Sequence, residues 1–367
     1  MNMRYKKLAL LLAVAMLFAL PACKPAAADP SGVPSEVASD SLPPSQEPSV
    51  EPTSAPPSDA PDKDPLDGLI RMGFLNGPTG VGAARLLDQI DSGGIDNDAY
   101  RYDIYNDNSE LVAALTKGEI DIATVASNVA VNLYHKTDGG VKIIAVGTLG
   151  VLHVLESNGG TSIDSMADLA GKTIYAAGQG ANPEYILRYL LQENGLEMGK
   201  DVEVVFADAS EISAKLLSGE IECAMLPVPA ATAAIMKSEG KVRQAIDLTE
   251  AWDSLRNGSQ LIMTAVVART EYLEEHPALA ADFLDAYKDS IDFVNDNVDE
   301  AAAMVADLGL APSAAIAKQA IPQCHLAYLS GADMVAAISD YYSVLWSIDP
   351  AAVGGSLPDD EIYWWIE

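Results

Sequence analysis

The segment NGPTGVGAAR, residues 76 to 85, places glycines at 77, 80 and 82 after the apolar run LIRMGFL and ahead of a helix-like stretch. Glycines in that setting build phosphate cradles, so the neighbouring residues decide whether phosphate chemistry is available. A triphosphate loop needs Lys and Ser or Thr after its last glycine, to reach the phosphates and magnesium; here Ala83, Ala84 and Arg85 follow. A dinucleotide fingerprint needs a third glycine for close helix packing, and Arg85 stands in its place. What survives is a strand, a glycine-rich turn and a helix N-terminus, whose backbone N–H groups can face a ligand.

Catalytic constellations are sparse. The four histidines are His135, His153, His276 and His325. His276 precedes a proline at a helix start, and His135 closes a helix, where positive charge suits the dipole. His325 adjoins Cys324, but neighbours on an extended chain point to opposite faces and do not make a working thiol–imidazole pair. No G-x-S-x-G elbow and no H-E-x-x-H helix is present, and the carboxylates are spread along helix faces and the N-terminal stretch. Trp252 either fills the core or stacks on a bound ring. No cofactor and no metal site is expected.

The charge and the first 66 residues set the compartment. Arg4, Lys6 and Lys7 precede an apolar run from Leu8 to Leu20, whose 13 residues fall short of the roughly 20 that span a bilayer. Residues 1–22 read as a secretory signal. The small residue before Cys23 resembles the lipobox of bacterial lipoproteins, which implies that Cys23 becomes an acylated N-terminus and an anchor to the membrane. From Lys24 to Leu66 the chain holds 11 of its 21 prolines and no aromatic residue. Such a segment cannot bury enough apolar surface to offset its ordering entropy, so 23–66 is expected to be a disordered tether, reaching about 35 to 40 Å. With 53 acidic and 22 basic residues and a formal charge of −31, the chain lacks the basic footprint that nucleic acid requires. Cys223 and Cys324 are too few for a disulfide framework, and are expected to be buried or semi-buried thiols.

The remaining 300 or so residues contain an internal duplication. SELVAALTKGEIDIATVASNVA (109–130) matches SEISAKLLSGEIECAMLPVPAA (210–231) at an offset of 101, sharing Ser-Glu, Gly-Glu-Ile and several alanines. Each copy reads as a capped helix, a Gly stop, a short apolar strand and a second helix, with strands expected at Ile120–Val125 and Ile221–Leu226. Upstream, RYDIY (101–105) pairs with VEVVF (202–206), and the opening glycine loop pairs with AAGQGANPEYILRYL (176–190). Two such units predict an α/β protein with parallel sheets, whose ligands sit beyond the carboxyl ends of the strands. VKIIAVGTLGVLHVLES (141–157) suits a strand running out of the first lobe across a hinge, and QLIMTAVVA (260–268) a strand returning. The expected division is lobe 1 at 67–155, lobe 2 at 156–255, and a return to lobe 1 with C-terminal helices at 256–367. Leu279, Phe283, Tyr287, Ile291 and Val294 form one apolar helical stripe, and Trp364 and Trp365 are expected to seal the C-terminus against lobe 1.

With LTKGEIDIATVASNVAV, SIDSMADLAGKTI, LLSGEIECAMLPVPAAT and EYLEEHPALAADFLDAYKDSIDFV in this order, the chain resembles the periplasmic-type solute-binding proteins of ABC importers. The branch is that associated with nitrate, alkanesulfonates, taurine and thiamine-pyrimidine precursors, and the likeness spans roughly residues 68 to 330. The resemblance implies a two-lobed periplasmic-binding-protein-like fold of type II, a monomer that captures a small solute outside the cytoplasm and delivers it to a permease and its ATPase. It places ligand-lining positions on the loops after the first and third strands of each unit: Thr79 and Gly80, Ser127 and Asn128, Gln179 and Asn182, and Pro229, with Thr148 near the hinge. None of these loops carries Lys or Arg, and Arg85 and Arg188 lie one or two turns into helices. A neutral, zwitterionic or heteroaromatic solute is therefore expected over a strongly anionic one. The competing expectation is a membrane-tethered enzyme or sensory domain on the same fold.

Overall fold

The computed structural model describes residues 68–95 and 99–366. The expected signal at 1–22, Cys23 and the expected tether at 23–66 lie outside these residues. Eleven strands occur in the described chain: β1 (Ile70–Leu75), β2 (Tyr100–Tyr105), β3 (Ile122–Ala126), β4 (Val141–Thr148), β5 (Leu152–Glu156), β6 (Thr173–Ala176), β7 (Glu203–Phe206), β8 (Cys223–Pro227), β9 (Arg243–Asp247), β10 (Thr264–Arg269) and β11 (Leu326–Leu329). They form two sheets, ordered β11-β4-β10-β3-β1-β2 and β7-β6-β8-β5-β9.

The duplication is visible in this order. In each sheet the first strand of a unit lies between the second and third, all parallel. Each third strand then takes an antiparallel partner that arrives from the other lobe: β10 beside β3, and β5 beside β8. The registers repeat as well, since Thr264 pairs with Ala126 and Leu152 with Pro227, partners 101 residues apart. The two sheets are thus stitched by two crossings, one between β4 and β5 and one leading into β10. This is the two-lobed, type II arrangement.

The repeated Gly-Glu-Ile has a local cause. Gly118 and Gly219 sit at φ +72° and +76° just beyond helices Asn108–Thr116 and Ala209–Ser218, a left-handed stop that costs a side-chain-bearing residue more than glycine. Behind the stop, Glu119 and Ile120 both donate to the Ala114 carbonyl, so the turn extends through Ile120. The strands consequently begin at Ile122 and Cys223, two residues later than the apolar pattern predicts.

Residues 141–157 are broken at Leu149–Val151, where the chain leaves one sheet for the other. Leu149 N donates to His325 O, and the His325 ring bonds the Gly150 carbonyl. The return stretch likewise becomes strand only at Thr264, because Met263 is engaged across the crossing with Thr148 and Ser127. Helix Pro277–Asp296 buries Phe283, Tyr287, Ile291 and Val294 against the first lobe, with Leu279 partly covered. At the far end of the first sheet, the carboxylate of Asp121, 1% exposed, takes two 2.6 Å bonds from Arg71 and a 3.1 Å bond from Arg269. The pairing holds the Arg71 guanidinium charged and raises its pKa.

Trp252 is fully buried between Tyr189 and Tyr341, at 4.9 and 5.6 Å, and its indole N–H donates to Ser259 O. It fills the core. Ile362 to Trp364 close the C-terminus on β4 through Trp364 N to Ile143 O, while Trp365 remains 44% exposed. Cys223 and Cys324 are free and buried, and burial pushes both thiols up to about 12. Among the described residues, no helix is long and apolar enough to cross a membrane.

Candidate functional site

The carboxyl ends of the parallel strands of both sheets converge on one region, which contains two cavities. The larger, about 910 Å³, lies among Asn76 to Pro78, helices Ala209–Ser218 and Ala230–Lys237, the Pro227 to Pro229 turn, and residues 306 to 312. The smaller, about 660 Å³, lies at the ends of β1, β2, β6 and β7. Asn76 lines both. It follows β1 directly, and its amide group donates to Asn106 Oδ1 at 2.9 Å.

The two spaces differ in chemistry. The smaller is lined by the carboxamides of Asn76, Asn106, Asn108 and Gln179, by Asp107, Asp208, Glu211 and Lys215, and by Tyr175 and Phe206. Asn108 Oδ1 is buried without a partner. Asp107 accepts from the Ser109 hydroxyl and from the Ser109 and Glu110 amides, which lowers its pKa and caps the helix that follows. The Lys215 ammonium is 2.9 Å from Glu211 and 5.6 Å from the centre of the Tyr175 ring; its bond to Glu211 raises its pKa. The larger cavity is walled mainly by Ala, Pro, Val and Leu, with Ser210, Ser213, Asn76 and Lys237 as its polar members.

Of the positions expected from sequence, Gln179 lines the polar cavity and Pro229 the apolar one. Thr79 and Gly80 stand behind the wall. The Thr79 hydroxyl donates to Leu75 O at 2.6 Å, and a Cβ on Gly80 would come within 2.7 Å of Leu310, which itself lines the apolar cavity. Gly80 is needed for that close approach.

Ser127, Asn128 and Asn182 are brought together, but in a buried joint between the lobes. Asn182, fully buried, donates through its side chain to Ser127 Oγ and Met263 O, each at 2.9 Å. The Asn182 backbone N–H donates to Asn128 Oδ1 at 3.1 Å, so a first-lobe side chain caps helix Asn182–Glu193 of the second lobe. Gly180 N–H is taken by Glu184 and Glu184 N–H by Ala181 O, and Pro183 has none. These groups are spent on protein contacts. Thr148 faces Thr264 across β4 and β10, both buried and both with hydroxyls lacking a partner.

The sequence reading missed the ends of the second strands. Asp107-Asn108-Ser109-Glu110 and Asp208-Ala209-Ser210-Glu211 recur at the offset of 101, each ending a strand and opening a helix, and that repeated capping signal marks both. It also missed two cations, because Lys215 and Lys237 enter from within helices. Arg85 and Arg188 do not line either cavity. Arg85 lies 4.6 Å from the Phe293 ring centre, and Arg188 binds Glu184 at 2.7 Å and Asp349 at 3.3 Å.

Solved structures share this architecture. An ABC transporter protein from Parabacteroides distasonis is 25% identical, covering 82% of this chain and all of its own, with a TM-score of 0.68. The periplasmic aliphatic sulphonate binding protein SsuA from Escherichia coli is 16% identical over 81% of this chain and 92% of its own, at 0.64. The alkanesulfonate-binding protein SsuA from Xanthomonas axonopodis pv. citri, bound to MOPS, is 13% identical over 77% and 93%, at 0.60. No curated protein matches the chain in sequence. The NMT1/THI5-like family model matches residues 106–301, over half of the chain and both copies of the duplicated helix–strand unit, and the protein belongs to that family.

Proposed function

We propose that the protein is an extracytoplasmic solute-binding component of an ABC importer, held at the membrane through Cys23 and capturing a small solute between its lobes. The observation that carries this reading is the pair of cavities meeting at Asn76, where the strand ends of two sheets face each other. Ligands of open α/β sheets lie at such strand ends, and the volumes suit small molecules. The lobes are joined by two chain crossings, about which a hinge motion that breaks the contacts between them would admit a solute and then bury it. The closed form is what a permease would recognise.

The solute is neutral, zwitterionic or heteroaromatic. In the polar cavity three carboxylates stand against one lysine, which disfavours a strongly anionic ligand there. Full-length protein screened by thermal shift against sulfonates, nitrate, pyrimidines, amino acids and aromatic acids tests the reading. A solute at about 100 times its dissociation constant adds roughly 2.7 kcal/mol of stability, and recovery of that solute unchanged is the expected result. Turnover of the solute would make the protein an enzyme; tight binding of nitrate or a simple sulfonate would overturn the ligand class.

A further inference from the structure

We infer that the solute carries a sizeable apolar body beside a hydrogen-bonding head, the body entering the larger cavity and the head the smaller. The inference rests on the solute-capture reading of the same cleft and adds what the solute must look like. Two facing helices supply the apolar wall with residues that leave space: Ala214 and Leu217 on one, Ala233 and Ala234 on the other, with Leu310 and Pro312 opposite. No carboxylate lines this cavity, and its one charged residue is Lys237. Water gains few partners in such a space, so apolar atoms are its favoured occupants.

The polar cavity adds orientation. Asn76, at the junction, and Gln179 both donate and accept hydrogen bonds, and the carboxylates of Asp107, Asp208 and Glu211 outnumber the one cation, Lys215, on the wall. The complement is a head that donates, such as a primary amide or an ammonium group. A small ion filling only the polar space would leave about 910 Å³ unused beside it. Solutes of that kind gain nothing from the apolar wall.

Calorimetric titration of the full chain with straight-chain amides, amines and carboxylates of increasing length tests this. The amide or amine series should bind with a dissociation constant that falls about fourfold per added methylene until the cavity is full. The carboxylates should be weaker at equal length. Ala214, exposed on its helix and lining the cavity, can be enlarged without disturbing the core; Ala214→Phe should remove the length dependence. Affinity independent of length, an unaltered length dependence in Ala214→Phe, or failure of all three series while another solute binds would each overturn the inference and leave solute capture standing. A chain that binds no solute of the wider screen either would bring down the underlying reading as well.

Discussion

Burial favours the neutral form of an imidazole, and His153, 1% exposed on β5, has its pKa lowered by desolvation and secondarily by His325, against the opposing pull of Asp247. Its Nδ1 is 3.6 Å from Asp247 Oδ2, and neither ring nitrogen has a hydrogen-bond partner. The folded value therefore lies below the ordinary 6.5, and as pH falls the unfolded chain takes up the proton first. Stability should be full above about pH 6.5 and decline as pH drops toward the folded value. Urea midpoints measured across this window should slope in the parent and flatten in His153→Leu. An equal slope in both would assign the proton uptake to another group. His153 adjoins the crossing whose Gly150 carbonyl is bonded by His325, so its protonation acts where the lobes are joined.

Among the elements, β4 shows how one missing side chain admits a helix. A Cβ on Gly147 would collide with the hydroxyl of Tyr287 and fall 3.2 Å from its Cζ, and Tyr287 is fully buried on helix Pro277–Asp296. That hydroxyl has no partner, so Tyr287→Phe removes a desolvated group and should be close to neutral. Gly147→Ala alone should cost about 1–3 kcal/mol through overpacking, and most of that loss should return in the double variant, read from denaturant midpoints as a coupling energy. Additive losses would show that the helix moves as a body instead. The stripe that builds this helix was legible in the sequence because it follows the 3.6-residue period, and the two units were legible because caps, glycine stops and apolar strands repeat at one offset. The β4–β5 break was not, since it depends on His325, 175 residues from Gly150. Part of the site was hidden for the same reason: Lys215 and Lys237 reach the cavities only once two helices are packed, whereas Gln179 and Pro229 sit on loops whose positions follow from strand order.

For the whole molecule, the balance between open and closed lobes depends on what holds them together without solute. Asn182 is such a contact. It reaches Ser127 and Met263 from the second lobe and receives its cap from Asn128. The carbonyls it touches keep other donors, because Ser127 N–H bonds Met263 O and Ser127 Oγ bonds Ile262 O. Asn182→Ala should therefore leave few groups unpaired, and its cost should be near the net value of the bonds lost, about 1–2 kcal/mol. If that energy holds the lobes shut, a loss of about 1.4 kcal/mol shifts the open-to-closed ratio roughly tenfold. Small-angle scattering of the solute-free variant should then give a larger radius of gyration than the parent, returning to the parent value with solute bound. The apparent affinity should weaken in the same proportion, because the binding-competent fraction falls. A drop in melting temperature with scattering unchanged would mean that the joint contributes to folding alone and that closure is set by the other contacts between the lobes, where helix Ala314–Ala320 meets helix Ala230–Lys237, helix Gly331–Ile348 meets helix Asn182–Glu193, and Arg188 binds Asp349.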